Sequence, residues 1–438
     1  MSELKRATND EGTSSSTPAW VRPVIVIAVL LAVVAILKGV RMPGRWAATH
    51  YTFNYSRGFI RRGLFGEILR HIFGARAYHY STVVAVAVTL FGAFVALMTR
   101  LVVHTARGSI RDVGFWAAIF VFLASPGLVL LAHVIGYLDY VGINLELVVL
   151  LFVLKSARMR AWLVPIVLVV SIVLALIHES SLILFMPVFV FMVICDIHAR
   201  SQWGMQSTGW RRRVQQLGPA LVVVVAAAAS ILIGDGGTRP RAFVDLLQKD
   251  IERSVDFPLR PDAFEVLFQS VMKNLLEVMP HYWSYAESQR VLLHGALATA
   301  PGLAYLIAYG IRLIGGTHWT RGRVGLAVAF VGATLSPVLM NFVGWDHQRW
   351  NALATFSCFV CVCVLKQTTP VMGTPEKNAS EISPWLLCLA AAAMVIGLCS
   401  EYQYFLFDGY KVHWFPFDDR GSELLDLFTR SPRFIPPN

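Results

Sequence analysis

The chain has 438 residues, 56% of them hydrophobic, and a formal net charge of +11. So apolar a composition excludes a soluble globule and a disordered chain. The positive charge then needs no nucleic acid to explain it, because basic loops in membrane proteins face anionic lipid and set orientation.

Residues 1–19, rich in Ser, Thr, Asp and Glu, read as a disordered cytoplasmic tail. Apolar runs follow near 20–40, 81–103, 113–132, 137–154, 161–177, 182–196, 217–234, 291–311, 324–343, 352–365 and 384–400. The expected fold is all-α: a polytopic inner-membrane protein of about eleven spans. Its transmembrane domain covers 20–400, with loops 41–80 and 235–290 and the tail 401–438 in the periplasm. The run 23–37 lacks a small-residue cleavage site and so reads as a span, not a removable signal. Loops 104–112, 155–160, 198–216, 311–323 and 366–383 each carry at least two Lys or Arg, which assigns them to the cytoplasm. The alternation puts the N-terminus inside and the C-terminus outside.

The loop 41–80 breaks that pattern. It holds seven arginines (41, 45, 57, 61, 62, 70 and 76) against one acid, Glu67, yet falls on the outer side. Within it Ile60, Leu64, Phe65, Ile68, Leu69 and Ile72 share a helical face, the pattern of an interfacial helix whose arginines, Arg62 and Arg70, meet lipid phosphate. In the other outer loop, AFVDLLQKDIERSV and DAFEVLFQSVMKNLLEVM each read as an amphipathic helix.

Ionisable groups near apolar runs are costly, so their positions inform. Four places stand out, all at outer ends of spans. They are Asp139 with Glu146 in GYLDYVGINLE, His178 with Glu179 in IHESS, Asp346, His347 and Arg349 in GWDHQRW, and the arginine loop. Arginine binds phosphate through a planar two-point fork, and a carboxylate in a dry cavity can take a proton from an attacking hydroxyl. Together these groups suit sugar transfer from a lipid-linked phosphate. Glu179, at the apex of two short spans, is the expected proton acceptor, ahead of Asp139 and Asp346. Asp346 would orient Arg349, while Asp139 would meet water. The six cysteines lie in apolar runs, and the cluster Cys358, Cys361 and Cys363, though it contains a CxxC spacing, lacks nearby histidine or acidic ligands, so they read as packing residues. Asp418 and Asp419 lack a third ligand, and Asn54-Tyr55-Ser56 is a glycosylation sequon by pattern only. No cofactor is expected, and no divalent metal is indicated.

Three stretches, GFIRRGLFGEIL at 58–69, IHESSLILFMP at 177–187 and GWDHQRWNAL at 344–353, resemble motifs of bacterial GT-C polyprenyl-phosphate-sugar glycosyltransferases, the class that includes pilin and cell-wall arabinosyltransferases. The motifs cover about a tenth of the chain. The resemblance implies a membrane enzyme with a periplasmic active site, a polyprenyl-phosphate-linked sugar (a pentofuranose in the arabinosyltransferases) and a glycan or protein acceptor such as pilin. By position it makes Arg61 and Arg62 ligands of the donor phosphate and places Glu179, Asp346 and Arg349 in the polar site. Beside them, Arg57 and Arg349 are candidates for the donor phosphate, Glu179, Asp139 and Asp346 for catalysis, and His178 and His347 for the surrounding site. One departure stands: family members keep a catalytic acid in the first outer loop, where this chain has only Glu67. Alternatives from other classes are a lipid-linked-sugar flippase or other transporter, disfavoured by the lack of internal repeats, and a polysaccharide polymerase.

Overall fold

The computed structural model describes residues 19–155, 162–202, 210–269, 274–315, 319–342, 344, 346–368, 382–400, 402–403 and 411–412. The tail 1–18, most of the 366–383 linker, and Asp408, Asp418 and Asp419 lie outside these residues.

The described chain is helical apart from one antiparallel pair of two-residue strands, β1 (Tyr402–Gln403) and β2 (Lys411–Val412). Each of the eleven apolar runs forms helix. The helices of the first half are α1 (Val21–Gly39), α2 (Arg45–Tyr51), α3 (Gly63–Phe73), α4 (Tyr80–Arg107), α5 (Val113–Ala124), α6 (Pro126–His133), α7 (Asp139–Lys155) and α8 (Leu163–Ile177). There follow α9 (Ser181–Leu184), α10 (Met186–Gln202), α11 (Trp210–Gly236), α12 (Arg241–Glu252), α13 (Pro261–Glu265), α14 (Met279–Trp283), α15 (Ala286–Gly315), α16 (Arg321–Leu335), α17 (His347–Thr368) and α18 (Pro384–Cys399). Six helical stretches are long and apolar enough to cross a membrane, or seven if the bent pair α5–α6 is one span.

That bend differs from the straight span expected over 113–132. Ser125 closes α5, and its hydroxyl accepts the Gly127 amide to start α6 with Pro126 in its first turn. Proline belongs there because it has no amide to satisfy. The axis turns by 44°.

Helix α17 is the centre of the bundle. Nearly every side chain along it is buried, and α15, α16, α10, α6, α5 and α4 pack around it. It carries Arg349 at one end and Lys366 at the other.

The two loops expected outside the membrane pack on each other. Phe53 and Ile60 of the first join Val244, Leu247, Ile251, Phe264 and Leu267 of the second in a small apolar core. Arg239 Nε donates to the Phe59 carbonyl at 2.9 Å, and the Arg260 amide to Thr49 Oγ1 at 3.0 Å. This cap covers one end of the bundle.

Two local expectations are corrected. The stretch from Asp262 is broken rather than one helix: α13 ends at Glu265, and Phe264 and Leu267 turn into the cap core. Arg62 precedes α3 rather than projecting from it, and the apolar face of α3 divides. Phe65 and Leu69 point inward, while Ile68, Ile72 and Phe73 are exposed.

Candidate functional site

Two guanidinium–carboxylate assemblies lie beneath the cap. The first is built on Arg62, the one non-glycine residue with positive φ among those described. Holding such a residue left-handed costs about 1–3 kcal/mol. A two-point pair offsets it: Arg62 Nε donates to Glu179 Oε2 at 2.8 Å and Nη2 to Oε1 at 2.5 Å. The remaining nitrogen, Nη1, lies 3.3 Å from His50 Nε2. His50 is fixed by its position in α2, where Nδ1 donates to the Trp46 carbonyl one turn back at 2.9 Å. Its Nε2 is therefore a bare acceptor facing Arg62. Burial first, and then Arg62, push the His50 pKa down to about 3, so the ring is neutral.

The His178 tautomer is the reverse. The Ser180 amide, 3.2 Å from Nδ1, can only donate, so His178 Nδ1 accepts and Nε2 carries the hydrogen. Burial and Arg62 hold His178 neutral as well.

The second assembly is built on Arg349. Its Nη2 donates to Asp139 Oδ1 at 2.8 Å, Nε to Asp139 Oδ2, and Nη1 to Asp346 Oδ2 at 2.7 Å. The guanidinium is sandwiched between the rings of Tyr137 (4.6 Å) and Trp350 (4.2 Å). Arg349 and Asp139 are each only 3% exposed. A narrow cleft lined by Trp46, His50, Tyr137, Leu138, His178 and Arg349 joins the two assemblies. Gly136 makes this possible: its φ of +97° is a glycine conformation, and an added Cβ would sit 2.7 Å from Pro43 Cβ. The turn it allows stacks Tyr137 against Trp46, with ring centres 5.3 Å apart.

The four polar places of the sequence thus come together around this cleft: His178 and Arg349 line it, and Arg62, Glu179, Asp139 and Asp346 adjoin it through their contacts with His50, Arg62 and Arg349. Their expected roles change. Burial raises Glu179, but Arg62 outweighs it and holds the carboxyl well below the usual range, which makes Glu179 a poor proton acceptor. Asp139 does not meet water; both its oxygens are held by Arg349. Asp346 is the more basic acid. Burial raises its pKa, Arg349 only partly counters this, and among the described residues its Oδ1 makes no hydrogen bond.

Four residues singled out in the sequence stand apart from the cleft. Arg57 forms an exposed pair with Asp250. Arg61 donates to the Gln269 carbonyl. His347 bonds Asn341 Oδ1 at 2.8 Å and sits beside Tyr282 and Trp283, on another side of α17. Glu146 lies two turns below Asp139 on α7, fully buried, and among the described residues neither oxygen has a hydrogen-bond partner. The sequence reading missed Trp46, His50 and Tyr137. The four-residue spacing of Trp46 and His50 in RWAATHY was the available signal.

Among the described residues no group of three or more His, Cys, Asp or Glu side chains is placed to hold a metal ion. Cys195, Cys358, Cys361 and Cys363 are buried free thiols. Comparison with known protein families, with curated proteins and with solved structures finds no match for the chain.

Proposed function

We propose that the protein is a membrane glycosyltransferase of GT-C type, moving a sugar from a polyprenyl-phosphate donor to a hydroxyl acceptor at the periplasmic face of a bacterial inner membrane. The observation that carries this reading is the pairing of Arg62 and Arg349 with Glu179, Asp139 and Asp346 around one small cleft that His50, His178 and Arg349 line at one end of a helical bundle. On this reading Asp346 Oδ1 takes the acceptor proton as the hydroxyl oxygen bonds to the anomeric carbon. The bond from that carbon to the phosphate oxygen breaks, and polyprenyl phosphate leaves with the electron pair. The His178 Nε2–H and the Arg349 fork stabilise its growing charge, which favours the transition state over the ground state. The two assemblies hold two guanidiniums against three carboxylates, so phosphate enters by competing for an arginine already paired. Neutral His178 suits this exchange, since it donates without adding charge to the resting site.

The reading takes the eleven runs as eleven spans, with α7 and the 15- to 17-residue apolar stretches Leu163–Ile177, Leu217–Ile233 and Pro384–Cys399 crossing as well. Thiol labelling tests the orientation. On a background with the native cysteines replaced, Ser56→Cys and Ser254→Cys, both exposed positions, should react with an impermeant reagent in spheroplasts, and Gly108→Cys should not. Ser109 is buried and unsuited as the inner probe.

Activity is tested with synthetic polyprenyl-phosphate sugars in reconstituted vesicles. Asp346→Asn should lower turnover by about 10²–10⁴-fold with donor binding intact. Wild-type vesicles that bind no polyprenyl phosphate would end the reading. A second reading, a transporter of lipid-linked sugar, is favoured by Glu146, because a partnerless carboxyl at membrane depth marks ion pathways in transporters. Glu146→Gln would abolish transport under that reading and leave transfer intact under the first.

A further inference from the structure

Away from the cleft, a groove of about 390 Å³ runs between α1 and α4, floored by α5. Helix α1 packs on α5 and α6 along one side. At the cleft end α1 closes onto α6, where an added Cβ on Gly39 would sit 2.0 Å from the Val129 carbonyl oxygen. The groove walls are apolar along their length, with Ile25 and Val29 of α1 and Met98 and Val102 of α4 among them. The far end differs. Arg107, the last residue of α4, lines the groove there, is exposed, and has no ion-pair partner among the described residues. Exposed Arg22 and Arg111 directly follow the lining residues Val21 and Ile110. Trp116 lines the same end and meets Trp20 edge-on at 6.4 Å, the kind of indole pair found at headgroup level.

We propose that this groove binds an acyl chain of an anionic phospholipid whose headgroup pairs with Arg107, in the leaflet opposite the cleft. The walls select hydrocarbon, and the arginine at the mouth selects negative charge. A transmembrane helix of another protein does not fit: at about 10 Å wide and 30 Å long it needs several times the volume. The polyprenyl donor is excluded as well, because its phosphate belongs at the other end of the bundle. The chain acts as a wedge behind α1, the helix that leads into α2 with Trp46 and His50. Lipid occupancy therefore supports the cleft from a distance.

The test uses full-length protein reconstituted in vesicles of equal phosphatidylglycerol and phosphatidylcholine, extracted in detergent, with retained lipid counted by native mass spectrometry. Wild type should retain one lipid and prefer phosphatidylglycerol about fivefold, the effect of one basic residue at a membrane surface. Arg107→Gln, an exposed change that spares the fold, should keep the lipid and lose the preference. Val102→Trp should fill the groove and lose the lipid, with thermal midpoints confirming that both variants fold. Equal retention of both lipids by wild type, or retention unchanged in both variants, would mean annular lipid only and overturn the proposal. Neither readout depends on sugar transfer.

Discussion

The two ends of α17 use buried charge in opposite ways. At the end away from the cleft, Lys366 Nζ lies 2.6 Å from Asp112 Oδ2, and Tyr309 donates to the same oxygen at 2.8 Å. Asp112 Oδ1 accepts the amides of Gly114 and Phe115, capping α5. Every contact of that carboxylate ties helices together or satisfies a helix end. At the cleft end, Asp139, Glu179 and Asp346 accept only from arginines, and among the described residues none takes a backbone amide. Charge that satisfies backbone is architecture. Charge that satisfies only other charge, beside a cleft, is available to a ligand.

Substitutions at each end sharpen this contrast. Arg349→Ala should have the largest effect, about 3–5 kcal/mol of stability, because it strands Asp139 and Asp346 in the interior. Thermal unfolding in detergent measures it. The double variant Asp139→Asn/Arg349→Gln should recover much of the loss, and no recovery would mean the pair is needed for packing rather than charge balance. Asp112→Ala should cost about 1–2 kcal/mol for the lost cap, besides the cost of leaving the largely buried Lys366 unpaired, and should leave donor binding untouched. An equal loss of donor binding at both ends would erase the distinction drawn here.

Acid should act on the cleft end in two ways. His50 is neutral when folded, with a pKa near 3, against about 6.5 when unfolded. The unfolded chain therefore binds more protons below pH 6.5, and stability should fall as pH drops from there towards 3. His50→Gln should flatten that slope, as read by thermal midpoints across the window. Burial raises the Asp346 pKa, so transfer should fade as pH falls through that raised value, as read by a pH–rate profile in reconstituted vesicles. The smallest effect belongs to Arg57→Gln, whose exposed pair with Asp250 should contribute nothing measurable to stability or donor binding. A loss of donor binding there would return Arg57 to the site.

Hydropathy alone located the helices, since each apolar run had to bury its backbone in helix. It also located the four polar places, because charge beside an apolar run is costly wherever it occurs. The partnerships were beyond it. Arg349 stands three residues from Asp346, a pair any helix would suggest, but its main partner, Asp139, is 210 residues away. Glu179 looked like a base because burial was legible and Arg62, 117 residues off, was not. The break at Ser125 was written in a serine–proline pair, yet apolar character on both sides concealed it.

The long separations within the cap and cleft have a consequence for biosynthesis. At about 5–20 residues per second, the 210 residues between Asp139 and Arg349 take on the order of ten to forty seconds to make. The 208 residues between Arg61 and Gln269 impose a similar delay on the cap. Arg62 meets Glu179 earlier, after 117 residues, so the first loop can be fixed to the bundle before its covering loop exists. Asp139 has no such early partner. Helix α7 waits with an unmatched carboxyl until α17 arrives, and the next-to-last helix of the bundle is the one that completes the site.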